Sequence, residues 1–364
     1  MLEIRGLSKH YGTGHGLHDL SLDVTAGEVL CVLGPSGCGK STLLKLVSGL
    51  EAPDAGSIHI GGRRIAGPGF GLPPEKRPVN MVFQDYALWP HMRVRAIVGY
   101  GLNRLPRPQR ERRVDGLLAM LRLTAYANRY PRELSGGQQQ RVAIARALAT
   151  EPEVLLFDEP LSNLDVQLRQ DMRHELAELF RDLGKTVLYV THDPLEACAF
   201  GHRLLVLRQG RLEQLGETRT LFETPASPWV AALAGYDSRL RAEVVAQPEA
   251  GLCMASVAGQ ALTVRLRGEM AVDPGTPLSV MLHSTDLRID GAGDPADSAR
   301  NTLSARVVQC IFEGRAWRLR LDLAGERLSL LSPDAVDCGT LLRVRFPVAD
   351  TLGFAIQAEG PSGP

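Results

Sequence analysis

The chain of 364 residues has no stretch approaching ~18 consecutive apolar residues, the length a helix needs to cross a bilayer. Any membrane role is therefore expected to be peripheral. It also lacks net charge: 41 Lys and Arg balance 41 Asp and Glu. That balance removes the bulk electrostatic argument for a nucleic-acid partner and leaves only local basic patches. Glu3, Arg5 and Lys9 deny the N-terminus the apolar core of a secretory leader. The six cysteines (Cys31, Cys38, Cys198, Cys253, Cys310 and Cys338) contain no C-x-x-C pair and no histidine at metal-ligand spacing. A disulfide framework is not expected, and the cytosol is the expected compartment. Cys31 and Cys198 lie among apolar residues and are expected to be inert core thiols.

What remains is ordinary globular composition, 44% hydrophobic and 23% charged. At about 150 residues per domain the length predicts two domains or slightly more. Four continuous apolar runs, Glu28–Leu33, Val79–Phe83, Val154–Phe157 and Thr186–Thr191, suit strands covered on both faces of a mostly parallel sheet. Ser41–Leu50 reads as a helix, with Gly49 near its end and Pro53 beyond it as a stop signal. Between about residues 85 and 150, Val114, Leu117, Leu118 and Leu121 recur at helical spacing, which predicts a helical insertion. Its arginines (Arg104, Arg107, Arg110, Arg112 and Arg113) form either a contact patch or, more commonly for such runs, a solvated helix face. After Tyr236 the period changes to two, at Leu262–Leu266, Trp317–Leu323 and Leu342–Phe346. Gly- and Asp-rich breaks such as Asp290–Asp297 separate these runs, and Pro361–Pro364 is expected to fray. A small all-β domain, a barrel, is predicted there.

The chemistry is concentrated in short motifs. Gly34-Pro35-Ser36-Gly37-Cys38-Gly39-Lys40-Ser41 fits G-x-x-x-x-G-K-[ST] between a predicted strand and a predicted helix. Such glycines let backbone N–H groups turn around phosphate oxygens, and the helix start adds positive dipole. Lys40 can then reach terminal phosphates and the Ser41 hydroxyl suits Mg²⁺. The run Val154–Phe157 ends in Asp158-Glu159-Pro160. Adjacent carboxylates at the end of an apolar strand are poor core residues and good site residues. Asp158 would hold Mg²⁺, and Glu159 would orient or deprotonate an attacking water. Leu134-Ser135-Gly136-Gly137-Gln138 precedes a second helix whose apolar positions include Val142, Ala145 and Leu148. This is another glycine-rich helix start suited to an anion, without a lysine. One nucleotide has little use for two helix starts from distant parts of one chain. Ser135 and Gly137 are therefore expected to grip the γ-phosphate of a nucleotide held by another subunit.

The phosphate loop Gly34–Ser41, Ser135-Gly136-Gly137-Gln138 and the strand ending in Asp158-Glu159 together resemble the nucleotide-binding subunit of an ABC transporter. The resemblance implies an α/β P-loop NTPase, an ABC-type nucleotide-binding domain over residues 1–236 with its helical subdomain at about 85–150. A small all-β barrel at 237–364, similar to the TOBE domain of importer ATPases, would follow it. Tyr11 matches the aromatic that stacks on adenine, Gln84 the glutamine that senses Mg²⁺ and couples to the membrane partner, and His192 the histidine that contacts the γ-phosphate. Ser162-Asn163-Leu164-Asp165 resembles the loop crossing the dimer interface. Thr42 would join Gly34–Ser41 in contacting nucleotide, as would Gly136 and Gln138 from the opposite subunit. Lys40, Gln84, Glu159 and His192 are the catalytic set; Ser41, Gln84 and Asp158 are the metal set. ATP and Mg²⁺ are the implied cofactors.

Two departures stand out. Pro194 occupies a position where many relatives carry glutamine, although Asp193 and Pro194 make an equivalent helix start. Leu282–Leu287 stands where relatives often carry an Arg-Pro-Glu stretch.

The implied assembly is a homodimer with two transmembrane permease subunits and a substrate-binding protein, peripheral on the cytoplasmic side of the inner membrane, with no nucleic acid. The motif run Leu156–Asp165 and the segment Ala87–His91 are most similar to ferric-iron importers, with polyamine, phosphonate, sulfate and sugar importers as alternatives. Soluble ABC proteins of translation or DNA repair are the rival class, disfavoured by the single ATPase half. A nucleotide kinase would leave Ser135–Gln138 unexplained.

Overall fold

The computed structural model describes residues 1–12, 15–268, 272–290 and 299–356. The expected break after Asp290 and the Pro361–Pro364 tail lie outside the described residues. The chain forms two compact units, Met1–Leu221 and Phe222–Pro364. The division falls before the composition change at Tyr236. The reason is that the short helix Pro228–Leu233 buries Ala231 with Met281, Leu352 and Phe354 of the second unit, with Tyr236 packed against them.

In the first unit the strands are β1 (Leu2–Tyr11), β2 (His15–Val24), β3 (Val29–Leu33), β4 (Ala55–Ile60), β5 (Arg63–Gly67), β6 (Phe70–Gly71), β7 (Val79–Val82), β8 (Val154–Asp158), β9 (Thr186–Thr191), β10 (Arg203–Arg208) and β11 (Arg211–Glu217). The helices that matter below are α1 (Lys40–Ser48), α2 (Val94–Gly99), α3 (Arg107–Met120), α4 (Gly136–Ala149), α5 (Val166–Leu183) and α6 (Pro194–Phe200). One sheet is antiparallel, in the order β2-β1-β4-β5-β6. The other runs β11-β10-β3-β9-β8-β7 and is parallel except for the β10–β11 hairpin. The four apolar runs are thus β3, β7, β8 and β9. β3 and β9 are buried along their whole length because both faces are covered. On one face, Leu43, Leu44, Leu46 and Val47 of α1 pack between this sheet and the antiparallel one. On the other, Phe157 and Tyr189 pack against Phe180 of α5 and Phe200 of α6.

Parallel pairing has a functional consequence. With Leu33 opposite Thr191, Asp158 opposite Val190 and Val82 opposite Phe157, the carboxyl ends of β3, β7, β8 and β9 share one sheet edge. Ligands of open α/β sheets bind at that edge.

The helical insertion contains α2, α3 and α4, and α3 buries Val114, Leu117 and Leu118. Of its arginines, Arg107 pairs with Glu111 at 2.8 Å and Arg113 with Glu151 at 2.7 Å. Cys31 is buried as expected, but Cys198 is exposed, which corrects the expectation of a core thiol. α6 turns Glu196 and Ala197 inward, so the next position in its helical rotation faces solvent.

The second unit pairs a closed barrel with an open sheet. The barrel strands are Ser238–Glu249, Leu252–Val257, Gln260–Leu266, Leu352–Ala355 and Pro277–Leu282. The sheet strands are Arg288–Ile289, Leu341–Pro347, Arg300–Phe312, Trp317–Leu323 and Glu326–Ser332. The period-two runs bury Leu262, Val264, Leu319, Leu321, Val344 and Phe346 in one shared core.

Candidate functional site

The loop between β3 and α1 is shaped by what it excludes. A Cβ on Gly34 would lie 2.4 Å from both Cys38 Sγ and the Leu207 carbonyl oxygen, so only glycine fits. Gly39, at the N-cap of α1, has φ 108°, and α1 has neither a side-chain cap nor an acidic residue in its first turn. An uncapped helix start with free N–H groups is an anion site by construction. Pro35, Ser36 and Gly37 form an exposed loop tip, while Cys38 is buried. Lys40 is buried and its Nζ donates to the carbonyls of Gly34 (2.8 Å) and Pro35 (3.1 Å). Thr42, half-buried, follows the exposed Ser41.

The end of β8 lies opposite this loop. Ser41 Oγ donates to Asp158 Oδ1 at 3.4 Å, and Lys40 Nζ is 3.8 Å from Glu159 Oε1. Burial, and after it the charge of Glu159, push the Asp158 carboxyl above its ordinary range. Glu159 has φ 43°, a left-handed conformation that costs a non-glycine residue about 1–3 kcal/mol. That backbone is held by a hydrogen bond from its N–H to the Val190 carbonyl at 3.0 Å. Glu159 Oε2 meets His192 Nδ1 at 2.8 Å just beyond the end of β9, the two residues being 33 apart in sequence.

The remaining expected residues surround this cluster or stand apart. Gln84 is exposed after β7, and its carbonyl accepts from Asn163 Nδ2 at 2.9 Å. This contact joins the segment after β7 to the segment after β8. Tyr11 is exposed at the end of β1 and its hydroxyl donates to Glu51. Ser135, Gly136, Gly137 and Gln138 open α4 with a capping box: Gln138 N–H donates to Ser135 Oγ at 3.4 Å and Ser135 N–H to Gln138 Oε1 at 3.1 Å. Among the described residues no hydrogen bond or ion pair joins Ser135–Gln138 to the loop at Gly34–Ser41.

Sequence reasoning passed over Arg77. Its buried guanidinium donates to the carbonyls of Leu46 (2.6 Å), Val47 (3.0 Å) and Leu72 (2.7 Å), tying down the far end of α1. An arginine among turn residues carries no sequence signal for that job.

Comparisons with known proteins identify the family. A family model described as "ABC transporter" matches residues 17–162. A spermidine/putrescine import ATP-binding protein from Nitratidesulfovibrio vulgaris is 43% identical over 331 residues, covering 90% of this chain and 88% of the relative. The chain belongs to the ABC transporter ATP-binding family. Another spermidine/putrescine import ATP-binding protein, from Pseudomonas aeruginosa, matches this ABC ATPase at 39% identity over 98% of the chain and 96% of the relative. An sn-glycerol-3-phosphate import ATP-binding protein from Agrobacterium fabrum is 38% identical over 91% of the chain and 92% of the relative. Among solved structures, a dimeric ATP-binding cassette in a post-hydrolysis state bound to ADP and Pi superposes with TM-score 0.52 at 32% identity, covering 60% of this chain and 99% of that one. cbiO1 from Clostridium perfringens, part of an ABC transporter complex, gives TM-score 0.53 at 29% identity, covering 61% of this chain and 90% of that one.

Proposed function

We propose that this ABC ATPase powers a binding-protein-dependent importer of polyamines, acting as a homodimer under two transmembrane permease subunits at the cytoplasmic face of the inner membrane. Ferric iron, the substrate expected from the motif runs, finds no support among the relatives described above. Two of those are spermidine/putrescine import proteins and one is an sn-glycerol-3-phosphate import protein. Residues 237–364 act in this reading as a TOBE-like domain, behind an ATPase domain at 1–236.

Each reaction centre takes Tyr11, Gly34–Thr42, Gln84, Asp158, Glu159 and His192 from one subunit and Ser135–Gln138 from the other. The donor chemistry fits Mg²⁺-ATP. Ser41 and Asp158 present hard oxygens 3.4 Å apart, and a cation there would relieve a carboxyl that burial holds above its ordinary range. Bound Mg²⁺ supplies charge neutralisation on the phosphates, and Gln84 would complete its ligand set. Lys40 exchanges its loop carbonyls for phosphate oxygens. Glu159 orients and deprotonates water, and His192, whose Nδ1 meets Glu159 Oε2 at 2.8 Å, contacts the γ-phosphate. Closure by ATP and opening after hydrolysis follow because the γ-phosphate is the group that touches both halves.

The observation that carries the dimeric reading is the lack, among the described residues, of any hydrogen bond or ion pair from Ser135–Gln138 to the phosphate loop, whereas contacts under 4 Å bring Ser41 to Asp158, Lys40 to Glu159 and Glu159 to His192. Specific ATPase activity of the isolated subunit should fall on dilution through its dimerisation range, followed by sedimentation. Constant activity in a species sized as a monomer would overturn it. The substrate is tested on the reconstituted transporter with its binding protein: spermidine or putrescine should stimulate ATP hydrolysis, and stimulation by ferric iron alone would refute the assignment.

A further inference from the structure

His192 sits in the short turn that joins β9 to α6, and Thr191, Asp193, Leu195 and Glu196 around it are bonded to one another. Asp193 N–H donates to Thr191 Oγ1 at 3.0 Å, across His192 itself. Leu195 N–H donates to Asp193 Oδ1 at 2.8 Å, and Glu196 N–H to the Asp193 carbonyl at 3.2 Å. Beneath the turn, the Tyr189 hydroxyl donates to Glu196 Oε2 at 2.8 Å, both residues being buried. Tyr189 is itself fixed, its ring 5.7 Å from Phe157, 6.1 Å from Phe180 and 4.7 Å from Phe200.

Glu196 is an expensive residue to place here. It is 3% exposed, and among the described residues it has no salt-bridge partner. A buried carboxylate without a cation is disfavoured relative to an apolar side chain of similar volume. Packing alone would therefore select leucine at this position. What the carboxylate adds is a bridge between two arms of one turn, from β9 three residues before His192 to α6 four residues after it.

We infer that Tyr189 and Glu196 are positioning residues for ATP hydrolysis, a staple beneath the turn that holds the His192 imidazole against Glu159. The inference rests on the reading of His192 as a γ-phosphate contact. The staple touches neither nucleotide nor water. It acts on the chemical step by restricting where the imidazole points, and misplacement by about 1 Å costs up to a hundredfold in rate.

Three variants of the full chain separate this from a merely structural role. Tyr189→Phe removes one hydroxyl and leaves the aromatic packing. It should lower kcat about tenfold with KM for ATP unchanged. Glu196→Gln keeps an oxygen for the Tyr189 hydroxyl and should retain most of the rate. Glu196→Leu should melt within a few degrees of wild type, because removal of a buried carboxylate offsets the Tyr189 hydroxyl left without a partner, yet be as slow as Tyr189→Phe. The double variant Tyr189→Phe/Glu196→Leu should be no slower than either single, because one bond is removed in each case. Unchanged kcat in Tyr189→Phe overturns the staple. A fall in kcat that tracks a fall in melting temperature and ATP affinity across the set overturns it as well. His192→Ala serves as the reference. If it hydrolyses ATP at the wild-type rate, the reading of His192 falls and the staple with it. If it is slow while Tyr189→Phe is not, the staple alone is refuted.

Discussion

Replacing Arg77 by methionine isolates a contribution that reaches the phosphate loop from behind. The Arg77 guanidinium is a buried cation that has no carboxylate partner among the described residues. Its compensation comes from three carbonyls, Leu46 and Val47 near the end of α1 and Leu72. Two of those oxygens belong to the negative pole of the α1 dipole, which a cation complements. Burial alone lowers the guanidinium's proton affinity, yet an arginine stays charged throughout the working range. Methionine keeps most of the volume and removes every donor. Three hydrogen bonds from a charged group are worth roughly 1.5–3 kcal/mol each, and the removed desolvation cost offsets part of that sum. The net loss expected is about 3–5 kcal/mol. In a unit of this size that corresponds to a fall in Tm of roughly 10 °C. Urea unfolding followed by circular dichroism, with and without ATP, reads the effect. Because α1 begins at Lys40, ATP affinity should drop with stability. Arg77→Lys should recover little, since one ammonium cannot fork to carbonyls on two segments. A loss below about 1 kcal/mol for Arg77→Met would show that water satisfies those carbonyls equally well and that Arg77 does not hold α1.

Other consequences are more local. Glu159→Gln should leave ATP binding intact while hydrolysis falls by about 10²–10⁴, the usual worth of a general base, and undiminished turnover would refute its role. For Asp158, burial and the Glu159 charge raise the folded-state carboxyl above its ordinary value, so the folded chain keeps that proton to higher pH than the unfolded chain. Its contribution to stability is complete below the unfolded value and is lost as pH rises through the raised folded one. Asp158→Asn should therefore flatten this part of the stability–pH curve and raise the urea midpoint of the nucleotide-free chain at neutral pH, although hydrolysis collapses. A variant less stable than wild type at neutral pH would contradict the sign. With a maleimide, exposed Cys198 and Cys338 should label on the native chain, whereas Cys31, buried and with its thiol pushed far up by burial, should label only on unfolding. Peptide mass spectrometry distinguishes them, and equal rates for Cys198 and Cys31 would refute the placement of α6.

Much of the site was readable because phosphate chemistry writes itself locally. A loop that must expose N–H groups at a helix start needs glycine where a Cβ would strike Cys38 and Leu207, and all of its residues are consecutive. The parallel strands were readable because sheets covered on both faces need continuous apolar runs, as β3 and β9 show. The antiparallel sheet was missed for the converse reason. Its strand β1 shifts register against β2 between Ile4 and Leu7 and again before Lys9, so the period-two pattern is broken. Cys198 was misplaced because Ala197, Cys198 and Ala199 look uniformly apolar in sequence, and only the helical rotation of α6 separates them.

The residues that escaped share a different property: their partners are backbone carbonyls or side chains in other elements. Arg77 serves carbonyls about 30 residues away, and Glu196 serves a hydroxyl across a turn. Neither leaves a spacing rule, because a carbonyl is present at every position and a tyrosine in a buried strand is read first as core. Both act on groups the motifs do name, Arg77 on the helix that begins at Lys40 and Glu196 on the turn that carries His192. Motif residues say what chemistry is available. How well that chemistry is aimed depends on buried polar groups of this second kind, and these are found by asking why a charge is buried at a place where leucine would pack as well.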